Sequence, residues 1–198
     1  HILIWKNGNI NPSTVLYSDL SSPRSIFVTS NGNIYIGDQN SVKQVSYSNS
    51  SRLIMQVSSY CMGLFIDTTN NIYCSIDYEH RVFKKWLGDN ISVMTTVAGN
   101  GSPGSTSNQL RSPNGIFVDT NFDLYIADWG NSRIQLFRLG QSNGITVAGE
   151  TSPNSTIILK SPSNVILDGN KYVFITDDNN NRIIGSDEYG FRCVAGCT

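Results

Sequence analysis

The chain has 198 residues, with 14 Lys and Arg against 15 Asp and Glu and a formal net charge of −1. So neutral a chain produces no strong electrostatic field, which argues against a nucleic-acid partner or an anionic lipid surface. It contains no run of about 18–20 apolar residues that would predict membrane insertion by this segment, and it is long enough for one sizeable hydrophobic core.

Four segments of the chain open alike, at residues 22–28, 60–66, 112–118 and 161–167. They recur about every 40–50 residues, a spacing typical of arrays in which each supersecondary unit buries its apolar surface against its neighbours. The chain is therefore predicted to be a repeat protein.

The third repeat shows its elements most fully. We predict strands over residues 115–119, 124–128, 133–137 and 145–148, with polar turns and loops between them. β-branched and aromatic residues fill these segments, and Asn, Asp, Gly and Ser separate them, as in antiparallel sheets. First strands such as residues 116–118 are apolar at every position, which indicates sheets covered on both faces. Four strands per repeat in covered sheets predict an all-β fold, the β-propeller.

Three short motifs keep their order between Ser112 and Ile134. They are Ser-Pro-x-Gly-Ile-x-Val-Asp, then Leu-Tyr-Ile-Ala-Asp, then Asn-x-Arg-Ile. In these motifs the chain resembles the NHL-repeat β-propeller family. The resemblance implies blades of four strands in rings that usually have six blades.

The resemblance predicts one propeller domain over residues 1–198, with about four complete blades and part of a fifth. The first residues match a third strand, so we expect a fragment of a six-bladed ring; a closed ring of fewer blades is the alternative. The predicted segments are a partial blade over 1–20 and blades at about 21–58, 59–100, 110–150 and 160–198. Two repeats depart from the pattern. The second has Cys61 for Pro and Ile76 for the strand-ending Asp, and the first has a short loop at residues 39–41.

The four cysteines fall into two pairs. Cys193 and Cys197 bracket the end of the last strand, and we expect a disulfide between them, with two unrelated thiols as the alternative. Cys61 and Cys74 fall on adjacent strands of one predicted hairpin but out of direct register. We therefore expect these two to be buried thiols that act as small hydrophobic side chains.

Glycosylation sequons occur at Asn49, Asn90, Asn100 and Asn154. All four fall in predicted loops, where a glycan would meet solvent, although chance matches are common in a chain rich in Asn and Ser. Together with the predicted disulfide they favour an extracellular or cell-surface glycoprotein.

Two acidic loops are candidates for cation binding. Residues 119–123 place oxygens like the start of a calcium loop, but Leu124 and Gly130 stand where the motif needs Gly and Glu. We interpret Asp119 as a turn residue that caps its hairpin. Residues 177–181 are likewise expected to be a structural loop, so no metal and no cofactor are predicted.

Charged residues recur at equivalent positions of several repeats. They are Arg81, Arg133 and Arg182 at one position, and Asp38, Asp128 and Asp177 at another. A single catalytic site does not need the same group in several blades. We therefore expect these residues to pair between blades or to bind loop carbonyls.

The histidine content argues against hydrolytic or zinc chemistry, because only His1 and His80 occur and there is no Gly-x-Ser-x-Gly elbow. Propeller lyases and lactonases carry histidines or acidic residues around the channel. Missing blades could supply such residues, so a segment of a lyase- or lactonase-like enzyme is the alternative function.

Binding residues are expected in the loops that lead into the first strand and in those that join the second and third strands, because both lie at one end of a blade. The candidate ligand-binding residues are Arg24, Met62, Tyr78, Asn114, Trp129, Asn164 and Asp178. An exposed Trp129 with Tyr78 could anchor a protein or glycan partner; alternatively, Trp129 covers the seam between two blades. We therefore predict a non-catalytic extracellular scaffold that binds a protein or ligand.

Overall fold

The computed structural model describes residues 2–4, 11, 14–16, 20–46, 50–88, 91–150, 152 and 157–197. Within these residues the chain is all-β, with two single-turn 3-10 helices, Trp129–Asn131 and Asp178–Asn180. The strands are β1 (Ile2–Ile4), β2 (Thr14–Leu16), β3 (Ser25–Val28), β4 (Ile34–Val45), β5 (Ser51–Ile66), β6 (Asn71–Ile76), β7 (Arg81–Trp86), β8 (Thr95–Ala98), β9 (Pro113–Val118), β10 (Leu124–Asp128), β11 (Arg133–Phe137), β12 (Ile145–Gly149), β13 (Pro162–Leu167), β14 (Val173–Asp177), β15 (Arg182–Asp187) and β16 (Gly190–Ala195).

The strands pair in chain order into antiparallel sheets. β9 to β12 form one four-stranded sheet and β13 to β16 another, β1 pairs with β2, and β3 to β8 share a six-stranded sheet. The four strands predicted for the third repeat are confirmed as β9 to β12. Short turns connect successive strands, as antiparallel pairing allows.

The six-stranded sheet contains two blades, because β4 folds back on itself within the first blade and β5 passes from the first blade into the second. β5 pairs with β4 along its first half and with β6 from Cys61 onward. β4 folds back near Asn40, whose φ is +60°. Ile36 and Val45 share one buried cluster, although a straight strand would hold them about 30 Å apart. The first blade is therefore β3, the two arms of β4 and the start of β5, and the second is the rest of β5 with β6, β7 and β8.

The hydrophobic core lies between successive blades. Val82 of the second blade shares a buried cluster with Ile126 of the third, and Ala127 of the third shares the next cluster with Ile175 of the fourth. Every residue of β10 and β11 is buried, so the third blade is covered on both faces. A fully buried Ile side chain contributes about 1.5–3 kcal/mol through its burial. Face-to-face packing of four-stranded blades makes the fold a β-propeller, as the repeats predicted.

A side chain at the end of each inner strand closes the turn that follows. Oδ1 of Asp119 accepts hydrogen bonds from the backbone N–H groups of Asn121 at 2.8 Å and Asp123 at 3.0 Å. The left-handed residue of this turn is Phe122, with φ +63°. The interpretation of Asp119 as a hairpin cap is thus confirmed. The equivalent residues of the other blades, Thr29, Asp67 and Asp168, cap their turns in the same way.

Asp128 and Arg133 form a buried ion pair, with 2.7 Å between Oδ2 and Nε. The other guanidinium N–H groups donate to the carbonyl oxygens of Ser105, Thr106 and Gln109. The prediction that the repeated arginines bind loop carbonyls is confirmed here. The prediction of pairing between blades is wrong: Asp128 and Arg133 are Cα partners across one hairpin of one blade.

The same pair recurs in two other blades, as Asp177 with Arg182 at 2.8 Å and Asp38 with Lys43 at 3.7 Å. In the second blade Ile76 stands opposite Arg81, so this arginine lacks the carboxylate partner of the other blades.

The second blade has a disulfide instead. Cys61 and Cys74 are bonded, so the prediction that they are unpaired thiols is wrong, although both side chains are buried as expected. Their register is offset as predicted, since Cys61 faces Ile76 and Cys74 faces Leu64. A register shift between Cys61 and Gly63 nevertheless leaves their Cα atoms 5.5 Å apart, within the range that a disulfide spans.

A second disulfide lies at the end of β16. Cys193 and Cys197 are bonded, with 5.8 Å between their Cα atoms, as their spacing predicted. Gly196 between them has φ +69°, a left-handed conformation that glycine adopts without steric cost. This conformation allows so short a loop to close.

Candidate binding site at the ends of the inner strands

The inner strands of the four blades line a cavity of about 620 Å³, here named the axial cavity. Four predicted ligand-binding residues lie in its wall: Arg24, Met62, Asn114 and Asn164. Each belongs to the start of an inner strand or directly precedes it, so the repeat architecture brings four distant parts of the chain together. The wall also contains Ser163, which sequence reasoning missed although it follows Pro162 as Asn114 follows Pro113.

Close approach of the inner strands fixes the order of these residues around the axis. A Cβ atom on Gly63 would lie 2.5 Å from the carbonyl oxygen of Asn114, and one on Gly115 would lie 2.7 Å from the Cα of Asn164. Only glycine fits at such a contact. The contacts hold the second, third and fourth blades side by side at this end.

Two polar groups of the axial cavity are free to meet a ligand. The guanidinium of Arg24 lies 5.1 Å from the ring centroid of Tyr60 and has no carboxylate partner among the described residues. The backbone oxygen of Asn114 accepts a hydrogen bond from Oγ of Ser75 at 2.6 Å. The side-chain amide of Asn114 makes no hydrogen bond within the described part of the chain.

An aromatic row lines the same cavity. The ring centroids of Phe27 and Phe65 lie 5.2 Å apart, and those of Phe65 and Phe117 lie 5.1 Å apart. Such edge-to-face and tilted pairs are favourable beyond their buried area. Sequence reasoning placed these residues in the core between sheets. The signal that could have found the row is the recurrence of Phe at one position of three repeats.

A second cavity of about 400 Å³ adjoins the first and is here named the rim cavity. It is lined by Met62, Asp77, Tyr78, Ser112, Pro113, Asn114 and Trp129. Met62 and Asn114 belong to both cavities. Tyr78 is 76% exposed and Trp129 is 38% exposed, so both predicted aromatic anchors are open to a partner.

Local hydrogen bonds hold the two loops that carry these aromatic residues. Trp129 begins a 3-10 helix whose next residue, Gly130, donates its N–H to the carbonyl oxygen of Arg111 at 2.8 Å. In the loop that carries Tyr78, Nδ1 of His80 accepts a hydrogen bond from the N–H of Ser112 at 3.1 Å. This bond ties the loop of the second blade to the segment that leads into the third.

Asp178 is the one predicted binding residue that the structure places outside both cavities. It begins the 3-10 helix after β14 and lines a separate small cavity with Arg182. The preceding Asp177 uses Oδ2 to accept hydrogen bonds from Asn180 and Arg182, which fits the expected structural loop. Among the described residues, no three His, Cys, Asp or Glu side chains cluster as metal ligands would.

The charged groups of the two cavities are few. Among the described residues that line them, Arg24 in the axial cavity and Asp77 in the rim cavity carry the charged side chains. General acid–base catalysis needs titratable groups within hydrogen-bond reach of one substrate. The arrangement instead offers aromatic surface and hydrogen-bonding groups, which suit recognition.

Of the four predicted sequon asparagines, Asn100 lies within the described residues. Asn100 is exposed, and its Oδ1 accepts the N–H of Ser102 at 2.9 Å. Asn49, Asn90 and Asn154 lie outside the described residues. In the described part of the chain, no helix has the length and apolar character needed to cross a membrane.

Comparison with known proteins supports the fold. No protein-family model and no curated protein matches the chain. Among solved structures, the nidogen/laminin complex matches with a TM-score of 0.71 and 19% identity, over 91% of this chain and 65% of that chain. A streptogramin B lyase matches with a TM-score of 0.66 and 16% identity, over 87% and 54%. An auxiliary nutrient-binding protein from Bacteroides thetaiotaomicron gives 0.64 and 14%, over 83% and 46%.

These neighbours are β-propeller proteins, and at such low identities the likeness shows the fold alone. The chain spans about half the length of the lyase and of the nutrient-binding protein. Propellers with these scores thus include a lyase and binding proteins.

Proposed function

We propose that the chain is an NHL-like propeller module of an extracellular or cell-surface glycoprotein, and that it binds a protein or glycan partner where the axial and rim cavities open. The observation that carries the proposal is the convergence of the predicted loop residues. Six of the seven predicted residues line two cavities that share Met62 and Asn114. Binding residues concentrate on such loops because a rigid scaffold positions them.

Two further observations support an extracellular setting. Both cysteine pairs are disulfide-bonded, and disulfides persist mainly in oxidising compartments. Asn100 is exposed within its sequon, so a glycan there would meet solvent. One structural neighbour is a complex of nidogen with laminin and another is named for nutrient binding, so proteins with this fold include binding proteins.

A lyase-like role is the second candidate, because a streptogramin B lyase shares the fold. The cavity chemistry favours binding. The catalytic residues of such an enzyme would have to lie mostly outside this chain, because Arg24 and Asp77 carry the charged side chains among the described residues that line the two cavities.

A binding screen with matched variants tests the proposal. The chain is immobilised and probed with laminin fragments, other matrix proteins and a glycan array. We expect Tyr78→Ala and Trp129→Ala each to lower the affinity for any captured partner at least tenfold, because truncation of an aromatic anchor has this effect. The controls are Tyr189→Ala and Trp86→Ala, which are 87% and 47% exposed and lie at the opposite ends of their blades.

The two control variants should retain full affinity. A partner that binds all four variants like the wild type would place the binding surface elsewhere. If the screen captures no partner, the proposed binding function is wrong.

A further inference from the structure

The rim cavity has a composition that selects a ligand class, and this inference rests on the proposed binding function. Its two aromatic rings come from successive blades, Tyr78 after β6 and Trp129 after β10. Neither ring stacks on another aromatic ring in the described part of the chain. Both therefore offer free apolar surface to a ligand in the rim cavity.

Two side chains that line the rim cavity have hydrogen-bonding capacity that the described residues do not use. Oδ1 of Asp77 accepts the N–H of Tyr78 at 2.8 Å and Oγ of Ser59 at 3.4 Å. Its Oδ2 has no hydrogen-bond partner among the described residues, and neither does the side-chain amide of Asn114. A carboxylate oxygen accepts hydrogen bonds only, whereas an amide both donates and accepts. Such a set satisfies neighbouring hydroxyl groups, each of which donates one bond and accepts another.

The charge and size of the rim cavity limit the class of ligand that it can hold. Asp77 is the one charged side chain among its lining residues, so an acidic or sulfated ligand would be repelled. A quaternary ammonium ligand is attracted by a carboxylate and aromatic rings, but it needs rings within about 6 Å of the cation. The volume of about 400 Å³ falls in the range of small-molecule sites, so the cavity has room for a sugar ring, and choline is the competing ligand that the test includes.

We propose that the rim cavity binds a neutral monosaccharide unit. One apolar face of the pyranose ring packs against Trp129, and its hydroxyl groups bond to Oδ2 of Asp77 and the amide of Asn114. Tyr78 covers the opposite side of the sugar. A glycan is thus assigned as the partner of this part of the surface.

Fluorescence of Trp129 tests the proposal in a chain with Trp5→Phe and Trp86→Phe. The probes are methyl glycosides of glucose, galactose, mannose, xylose, fucose and N-acetylglucosamine. We expect at least one to give a saturable change with a Kd of about 1 mM. Asp77→Asn keeps the Oδ1 acceptor for Tyr78 and should weaken binding roughly tenfold, as should Asn114→Ala. Asp178→Asn changes a carboxylate in the equivalent loop of the fourth blade and should leave the Kd unchanged.

Saturation-transfer NMR with the same glycosides gives a readout that does not depend on Trp129, and circular dichroism confirms that each variant is folded. Absence of saturable binding by both methods overturns the inference. Binding that Tyr78→Ala, Asp77→Asn and Asn114→Ala leave intact also overturns it, as does saturable binding of choline in place of the sugars. If the screen above still yields a protein partner that depends on Tyr78 and Trp129, the binding function stands and only the sugar assignment falls.

Discussion

The second and third blades fasten the start of their inner strands in different ways. In the third blade Pro113 lies opposite Asp128, whose Oδ1 accepts the N–H of Arg111 at 2.7 Å. In the second blade Cys61 lies opposite Ile76, and the disulfide to Cys74 joins the same two strands. The second blade thus has a covalent bond where the third blade has a buried carboxylate.

Within the described residues, the arginine of the second blade has fewer hydrogen bonds than that of the third. Nε of Arg81 is buried without a hydrogen-bond partner, while its other nitrogens reach the carbonyl oxygen of Asn100 at 3.0 Å and the carboxylate of Glu79 at 3.9 Å. Arg133 instead pairs fully with Asp128 and with loop carbonyls. The second blade thus holds its arginine without a strand-ending carboxylate, and its disulfide joins the first two strands instead.

Removal of the buried carboxylate should give the largest effect. Asp128→Ala leaves the guanidinium of Arg133, whose side chain is 5% exposed, without its counter-charge. Breaking a buried pair in this way costs about 3–5 kcal/mol of the free energy of unfolding. Asp177→Ala should cost less, because the Arg182 side chain is 25% exposed and water can replace the partner. Urea titrations of both variants measure the difference; equal losses would contradict the role of burial.

Removal of the disulfide between Cys61 and Cys74 should give the second-largest loss of stability. The Cys61→Ala/Cys74→Ala double variant opens a loop with a sequence separation of 13 and should lose about 3 kcal/mol of the free energy of unfolding. The Cys193→Ala/Cys197→Ala control opens a separation of 4 and should lose less, about 2 kcal/mol. Urea titration of both double variants checks the order. A larger loss at the chain end would refute the view that the second blade depends on its disulfide.

The sequence allowed much of the fold to be predicted, because the repeats keep the spacing of strands and turns. The Asp119 turn and the strands of the third repeat follow from local residue chemistry. The loop-carbonyl partners of Arg133 are as predicted, but its carboxylate partner lies in its own blade, because a strand-ending Asp and a strand-starting Arg are neighbours across any short hairpin. That contact could have been inferred from the hairpin alone.

Other features depend on three-dimensional details that residue patterns do not encode. Cys61 and Cys74 lie close enough to bond across a register shift next to Gly63, and a strand-interior glycine predicts such a shift only weakly. The sharing of Met62 and Asn114 by two cavities depends on how successive blades are rotated. The apolar run at residues 116–118 predicts a strand buried in the core, but the structure places Phe117 in the wall of the axial cavity.

A carboxylate introduced into the second blade tests whether Arg81 can serve as its partner. Ile76→Asp places a buried acid opposite Arg81, which lacks one, whereas Ile126→Asp in the third blade places it opposite the uncharged Gln135. Both isoleucines are fully buried. An unpaired buried charge is far costlier than a paired one, so Ile76→Asp should retain about 2 kcal/mol more stability than Ile126→Asp. Equal losses in urea titrations would show that Arg81 cannot serve as a partner.

The smallest expected effect concerns the turn caps, and it depends on pH. Burial raises the pKa of Asp67, but hydrogen bonds from Asn71, Thr69 and Tyr73 outweigh it and hold the pKa below its usual value. The stability that this carboxylate contributes is therefore present above the unfolded-state pKa of about 3.9 and is lost as the pH falls through the lower folded-state pKa.

Asp67→Asn should accordingly cost about 1 kcal/mol at neutral pH, and the gap to the wild type should close below about pH 4. Thermal unfolding between neutral and acidic pH measures the gap. The control is Asp168→Asn, which changes the exposed cap of the fourth blade and should cost less at neutral pH because water replaces the lost acceptor. A gap for Asp67→Asn that widens on acidification would show that the neutral carboxyl, and not the carboxylate, stabilises the second blade.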